Sequence, residues 1–165
     1  MTGMSRTRQT PPIGVLFVCM GNICRSPLAE GLFLHKADRR GVGERFLVDS
    51  AGTGDWHAGE RPDRRARKIA ASHGLTLSGR ARQVTHDDLH RFDHLVCMDE
   101  GNRRDLLHLG APRHKLRLLM ESDPSTALCE VPDPYYEGRR GFEAVYDLLD
   151  SACEALLDEL LAAVQ

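Results

Sequence analysis

The most constraining stretch of the chain runs from Ile13 to Pro27 and reads IGVLFVCMGNICRSP. Ile13 to Cys19 is a short apolar run of β-branched and aromatic residues, suited to a strand buried on both faces. Gly21-Asn22 supplies a turn, because both residues tolerate positive φ. Ser26-Pro27 opens a helix, with proline in the first turn, where its missing N–H leaves no bond unmade. A buried strand that turns directly into a helix belongs to a parallel α/β arrangement.

The rest of the sequence repeats this alternation. Leu28, Leu32 and Phe33 continue the first helix, which Gly41 ends. Strands are expected at Arg45–Ser50, His94–Met98 and Leu116–Leu119. Helices are expected at Asp63–His73, stopped by Gly74, at His86–Arg91, and at Asn102–Leu109, stopped by Gly110. Phe142, Val145, Leu149, Ala152, Leu156 and Leu160 recur at helical spacing and predict a long amphipathic C-terminal helix. The expected class is therefore α/β, a single domain over 13–165 with a mostly parallel sheet. Met1 to Pro12 has no periodicity and reads as a disordered leader. The 122–141 segment holds Pro124, Pro132 and Pro134 and is longer than a connector needs to be, which points to a functional loop.

Composition narrows the classes further. A length of 165 residues suits one domain with a real core, and a net charge of -2 gives no field to attract nucleic acid. The five cysteines are odd in number and lack the spacing of a disulfide scaffold. The apolar run from Ile13 to Cys19 is too short for a signal peptide or a membrane span. The expected setting is the reducing cytoplasm, with no membrane association and free thiols.

At the carboxyl end of a first strand, Cys19 to Arg25 would lie where parallel sheets bind ligands. Backbone N–H groups of Met20, Gly21, Asn22, Ile23 and Cys24 can wrap into an anion nest, and the following helix start favours negative charge. Arg25 adds a planar fork matched to two phosphate oxygens. Cys19, at the bottom of such a cup, is placed to act as a thiolate nucleophile, with a donor available from the Ser26 hydroxyl. Arg25 and the amides neutralise the oxygens, so the chemistry calls for no metal and no cofactor.

VLFVCMGNICRSPLAE resembles the active-site segment of the low-molecular-weight protein tyrosine phosphatases. Asp55-Trp56, CMDEGN at 97–102 and DPYY at 133–136 resemble further segments of that family, in the same order. The resemblance spans residue 13 to the C-terminus. It implies a four-stranded parallel twisted sheet flanked by helices on both faces, and hydrolysis of phosphotyrosine in protein substrates through a cysteinyl-phosphate. It implies Asp133 as general acid, alongside Cys19 and Arg25. Trp56, Tyr135 and Tyr136 are expected as pocket walls, with Met20 and Ile23 adding apolar contacts. Asn22, Ser26 and Ser50 match positions that brace the loop, and Asp99 an acidic position beside the Arg.

The resemblance also implies a reversible Cys19–Cys24 disulfide, and a tyrosine kinase acting on Tyr135 or Tyr136. Two residues depart from the family pattern. Gly79 stands where some members have a His in the bracing network, and Gly101 replaces a frequent Ser. The rival functions are arsenate reduction on the same fold and non-catalytic phosphotyrosine binding. His86, His90 and His94 recur every four residues, but His94 is expected in a strand, which argues against a metal stripe. Arg61, Arg64, Arg65, Arg67 and Lys68 are expected to form a solvated face.

Overall fold

The computed structural model describes residues 10–164. Most of the expected leader, residues 1–9, lies outside that range, while Thr10, Pro11 and Pro12 are exposed and carry no regular structure. Four strands, β1 (Ile13–Cys19), β2 (Phe46–Gly52), β3 (His94–Cys97) and β4 (Leu116–Leu118), form one all-parallel sheet in the order β2-β1-β3-β4. The helices are α1 (Arg25–Arg39), α2 (Arg64–Ser72), α3 (His86–Arg91), α4 (Glu100–Leu109) and α5 (Gly138–Ala163).

Strand alternation divides the core into two layers. Val15, Phe17 and Val96 point to one face, where they pack with Leu28, Leu32 and Phe33 of α1 and with Leu149, Leu156 and Leu160 of α5. Leu16, Val18, Leu95 and Leu118 point to the other, against Leu89 of α3 and Leu106 of α4. With both faces covered, β1 reads as a continuous apolar run. Chain order reverses between β1 and β3, so the crevice at their carboxyl ends is the switch point of the sheet. Cys19 is the last residue of β1 and stands at that crevice.

Several expected boundaries shift for local reasons. β2 runs to Gly52 instead of Ser50, because Gly52 pairs with Cys19 and its N–H donates to the Arg82 carbonyl at 2.8 Å. A Cβ at Gly52 would sit 2.7 Å from the Met20 carbonyl oxygen, so glycine serves close approach here and does not break the strand. α4 begins at Glu100 instead of Asn102. The Asp99 side chain accepts from the Asn102 N–H, and Asn102 reciprocates to the Asp99 N–H. α1 begins one residue before Ser26, and β3 and β4 each stop one residue short of the expected end.

Candidate active site

The segment after β1 closes tightly over its own sulfur. The Asn22 N–H donates to Cys19 Sγ at 3.2 Å, and the Ser26 hydroxyl lies 2.9 Å from the same sulfur. Asn22 is the one non-glycine residue with positive φ, 57°, among the described residues. Its side chain holds that conformation from three sides. Nδ2 donates to Ser26 Oγ at 2.8 Å and to Ser50 Oγ at 3.0 Å, while Oδ1 accepts from the Arg82 N–H at 3.0 Å. No side chain caps the N-terminus of α1, so its first amides remain available to an anion.

Arg25 is 3% exposed and is aimed by two acceptors. Nη1 donates to Asp99 Oδ2 at 2.7 Å and to the Val131 carbonyl at 3.0 Å. Burial works against the guanidinium, but the Cys19 sulfur and the Asp99 carboxylate outweigh it and hold Arg25 above its ordinary pKa. The Val131 N–H in turn donates to the Met98 carbonyl at 2.8 Å, which ties the start of the acid-bearing loop to the end of β3.

Asp133 reaches the site from that loop. Its Oδ2 lies 3.9 Å from Arg25 Nη2, and its Oδ1 accepts from the Tyr135 N–H at 3.1 Å. The carboxylate is half-exposed at the mouth of a cleft of about 250 Å³. Cys19, Met20, Gly21, Ile23, Cys24 and Arg25 line the cleft floor and sides, and Trp56, Tyr135 and Tyr136 stand at its rim with Asp133. Asn22, Ser26 and Ser50 do not reach it. They lie buried behind the loop, as does the Asp99 contact with Arg25.

Three contributors were not singled out by sequence. His57 lines the cleft beside Gly21 and is paired through Nδ1 with Glu60 Oε2 at 2.5 Å. Glu30 accepts from Ser50 Oγ at 2.7 Å. Arg65 departs from the expected solvated face. It holds both oxygens of Asp63, donates to the Tyr135 carbonyl at 2.8 Å, and lies over the Tyr135 and Phe142 rings at 5.3 and 4.6 Å. Of the expected metal stripe, His86 and His90 are exposed on α3, while His94 begins β3. A Cβ at Gly79 would meet nothing within 4 Å, so that position adds nothing to the brace.

A buried sulfur in contact with the Asn22 N–H and the Ser26 hydroxyl, an aimed guanidinium and a carboxylate at the mouth define a thiol-based oxyanion site on a parallel α/β sheet. A family model described as "Low molecular weight phosphotyrosine protein phosphatase" matches residues 14–165. The protein of that same name from Sus scrofa is 41% identical over 150 residues, covering 88% of this chain and 94% of the relative. The crystal structure of YfkJ from Bacillus subtilis superposes with a TM-score of 0.90 at 38% identity, covering 95% of this chain and 99% of that one. DARP, a drosophila arginine phosphatase, superposes with a TM-score of 0.83 at 33% identity, covering 88% of this chain and 96% of its own. The chain belongs to the low molecular weight phosphotyrosine protein phosphatase family.

Proposed function

We propose that the family's phosphotyrosine hydrolysis runs here with Cys19 as nucleophile, Arg25 as phosphate clamp and Asp133 as general acid, on phosphotyrosine in protein substrates. The observation that carries this assignment is the convergence of the three side chains on one cleft, with Asp133 Oδ2 3.9 Å from Arg25 Nη2. In the first step Cys19 Sγ attacks phosphorus and the phosphorus–oxygen bond to tyrosine breaks. Asp133 gives its proton to the leaving phenolate. In the second step Asp133 takes a proton from water, whose oxygen attacks phosphorus and expels the Cys19 thiolate. The Arg25 fork and the loop amides hold the equatorial oxygens through both steps.

The aromatic rim supports phosphotyrosine as the preferred ester. Trp56 and Tyr136 are 69% and 94% exposed, which leaves their faces available to a substrate ring. The same exposure makes Tyr136 accessible to a tyrosine kinase. Cys19 and Cys24 line one cleft, in keeping with a protective disulfide between them. Burial first, and the Asp63 carboxylate next, push the Cys24 thiol well up, so it stays a thiol and does not compete with Cys19 as nucleophile. Free thiols in this role fit the cytoplasm. Cys97, fully buried in β3, is poorly placed to relay a disulfide, which counts against arsenate reduction.

Leaving-group dependence tests the acid. Asp133→Ala is expected to lower kcat/KM, which reports the step that expels the leaving group, on the order of 10²-fold for phosphotyrosine and far less for an activated aryl phosphate. Equal losses on both would remove Asp133 from that role. Phosphoserine and phosphoarginine serve as comparison substrates, and slower turnover of both is expected.

A further inference from the structure

We propose that Glu30 is a positioning residue of the phosphate loop, its carboxylate fixing the Ser50 hydroxyl that holds Asn22 in the hydrogen-bond network around Cys19 Sγ. The proposal rests on Cys19 being the nucleophile. The chain runs Glu30, Ser50, Asn22, Ser26, Cys19, with separations of 2.7, 3.0, 2.8 and 2.9 Å. Its polarity follows from counting hydrogens. The Arg82 N–H donates to Asn22 Oδ1, which fixes the amide with Nδ2 towards the serines. Nδ2 has two hydrogens, one for each serine oxygen. Ser50, receiving from Asn22, has its own proton left for Glu30. Ser26, also receiving from Asn22, has its proton left for the sulfur. Every donor then points so that a thiolate at Cys19 is met by a hydroxyl hydrogen.

The Ser50 arm requires an acceptor at its end. Ionised Glu30 can only accept, so Ser50 must donate to it. Once protonated, Glu30 can donate to Ser50 instead. The Ser50 hydroxyl is then free to turn, and the hold on the positive-φ residue Asn22 loosens. The carboxyl is reachable by protons, because Glu30 lines a groove of about 230 Å³ between α1 and the 74–78 segment.

The charges around Glu30 place its change within the working range. Burial raises its carboxyl to about 7, against an opposing Ser50 hydrogen bond. Asp49 on β2 adds to the rise, and Arg82, which bridges Asp49 and Asp88, works against it. His35 and Asp38 share the groove from α1, while Leu75, Thr76 and Leu77 opposite carry no charge. Gly79, lacking a side chain, supplies no cation there.

The test is kcat/KM on an aryl phosphate for wild type and Glu30→Gln, from about pH 5 to about pH 9. Ionisation of the substrate and of all other groups cancels in the ratio of the two profiles. The ratio of wild type to variant is expected to rise about tenfold through neutrality, the weight of one charge-assisted hydrogen bond. A flat or falling ratio overturns the proposal, since a purely structural role would be the same at every pH. Cys19→Ser is assayed alongside. Its inactivity with a flat ratio sinks the Glu30 proposal alone, whereas retained turnover sinks the nucleophile assignment first. Should Glu30→Gln not fold, the wild-type protein decides by NMR. The Glu30 carboxyl carbon and the Asn22 side-chain amide are expected to titrate with one midpoint, and separate midpoints overturn the coupling.

Discussion

At the scale of single residues, the site depends on buried polar groups held by named partners. Arg25 meets the Asp99 carboxylate and a backbone carbonyl, and Asn22 uses both amide hydrogens and its oxygen. Glu30 is the group whose preferred charge for stability and for activity differ. Its folded-state carboxyl sits near 7 against an ordinary 4.5. Between those values the folded chain keeps a proton that the unfolded chain has lost. The stabilisation is therefore complete at pH below the unfolded value and is lost as pH rises towards 7. Glu30→Gln removes that loss. It is expected to raise stability at about pH 8 by about 1–3 kcal/mol, after discounting for partial solvent screening, and to change it little at about pH 4.5. Urea unfolding at the two pH values checks this, and equal shifts at both would show that Glu30 carries no proton-linked cost.

At the scale of elements, the loop bearing Asp133 is fastened at two points. The Val131 N–H donates to the Met98 carbonyl just past β3, and the Tyr135 carbonyl accepts from Arg65. Arg65 is itself held by Asp63, the N-cap of α2, whose own N–H donates to the Ile23 carbonyl at 2.8 Å. Burial works to raise the Asp63 carboxyl, but the Arg65 guanidinium and two backbone amides outweigh it and keep it below its ordinary range. The acid loop and the phosphate loop are thus joined through two side chains. Arg65→Met keeps much of the apolar contact with Phe142 and removes the fork. It is expected to lower kcat/KM on the order of tenfold for phosphotyrosine while leaving that of an activated aryl phosphate nearly unaffected, because Asp133 is misplaced and Cys19 is not. A uniform loss on both substrates would place the damage in the phosphate loop instead.

At the scale of the whole molecule, the sequence exposes what is local and hides what is assembled. The β1 run, the Gly-Asn turn and the Ser-Pro helix start lie within fifteen residues, so the phosphate loop is legible from propensity alone. The buried positions of α5 follow the 3.6-residue period and are equally plain. Glu30 and Arg65 were not legible as site residues. Glu30 reads as an ordinary polar position on α1, and its partner Ser50 comes from β2, twenty residues away. Arg65 reads as one cation in a basic run, and its bond to Tyr135 spans seventy residues. His57 was hidden for the same reason, since only the folded loop sets it beside Gly21. The strand expected to end at Ser50 runs on through Gly52, because a glycine there allows the close approach of the Met20 carbonyl.

In the proposed cycle phosphate passes through Cys19, at the end of β1. The direct measurement is rapid quenching of Asp133→Ala during turnover of an activated aryl phosphate, followed by peptide mass mapping. Hydrolysis of the intermediate is slowed in this variant, so one phosphoryl group is predicted on the peptide carrying Cys19, and none when Cys19→Ser is added. Phosphate on another residue, or a burst of phenol with no phosphoenzyme, would remove Cys19 as the residue that takes the phosphoryl group.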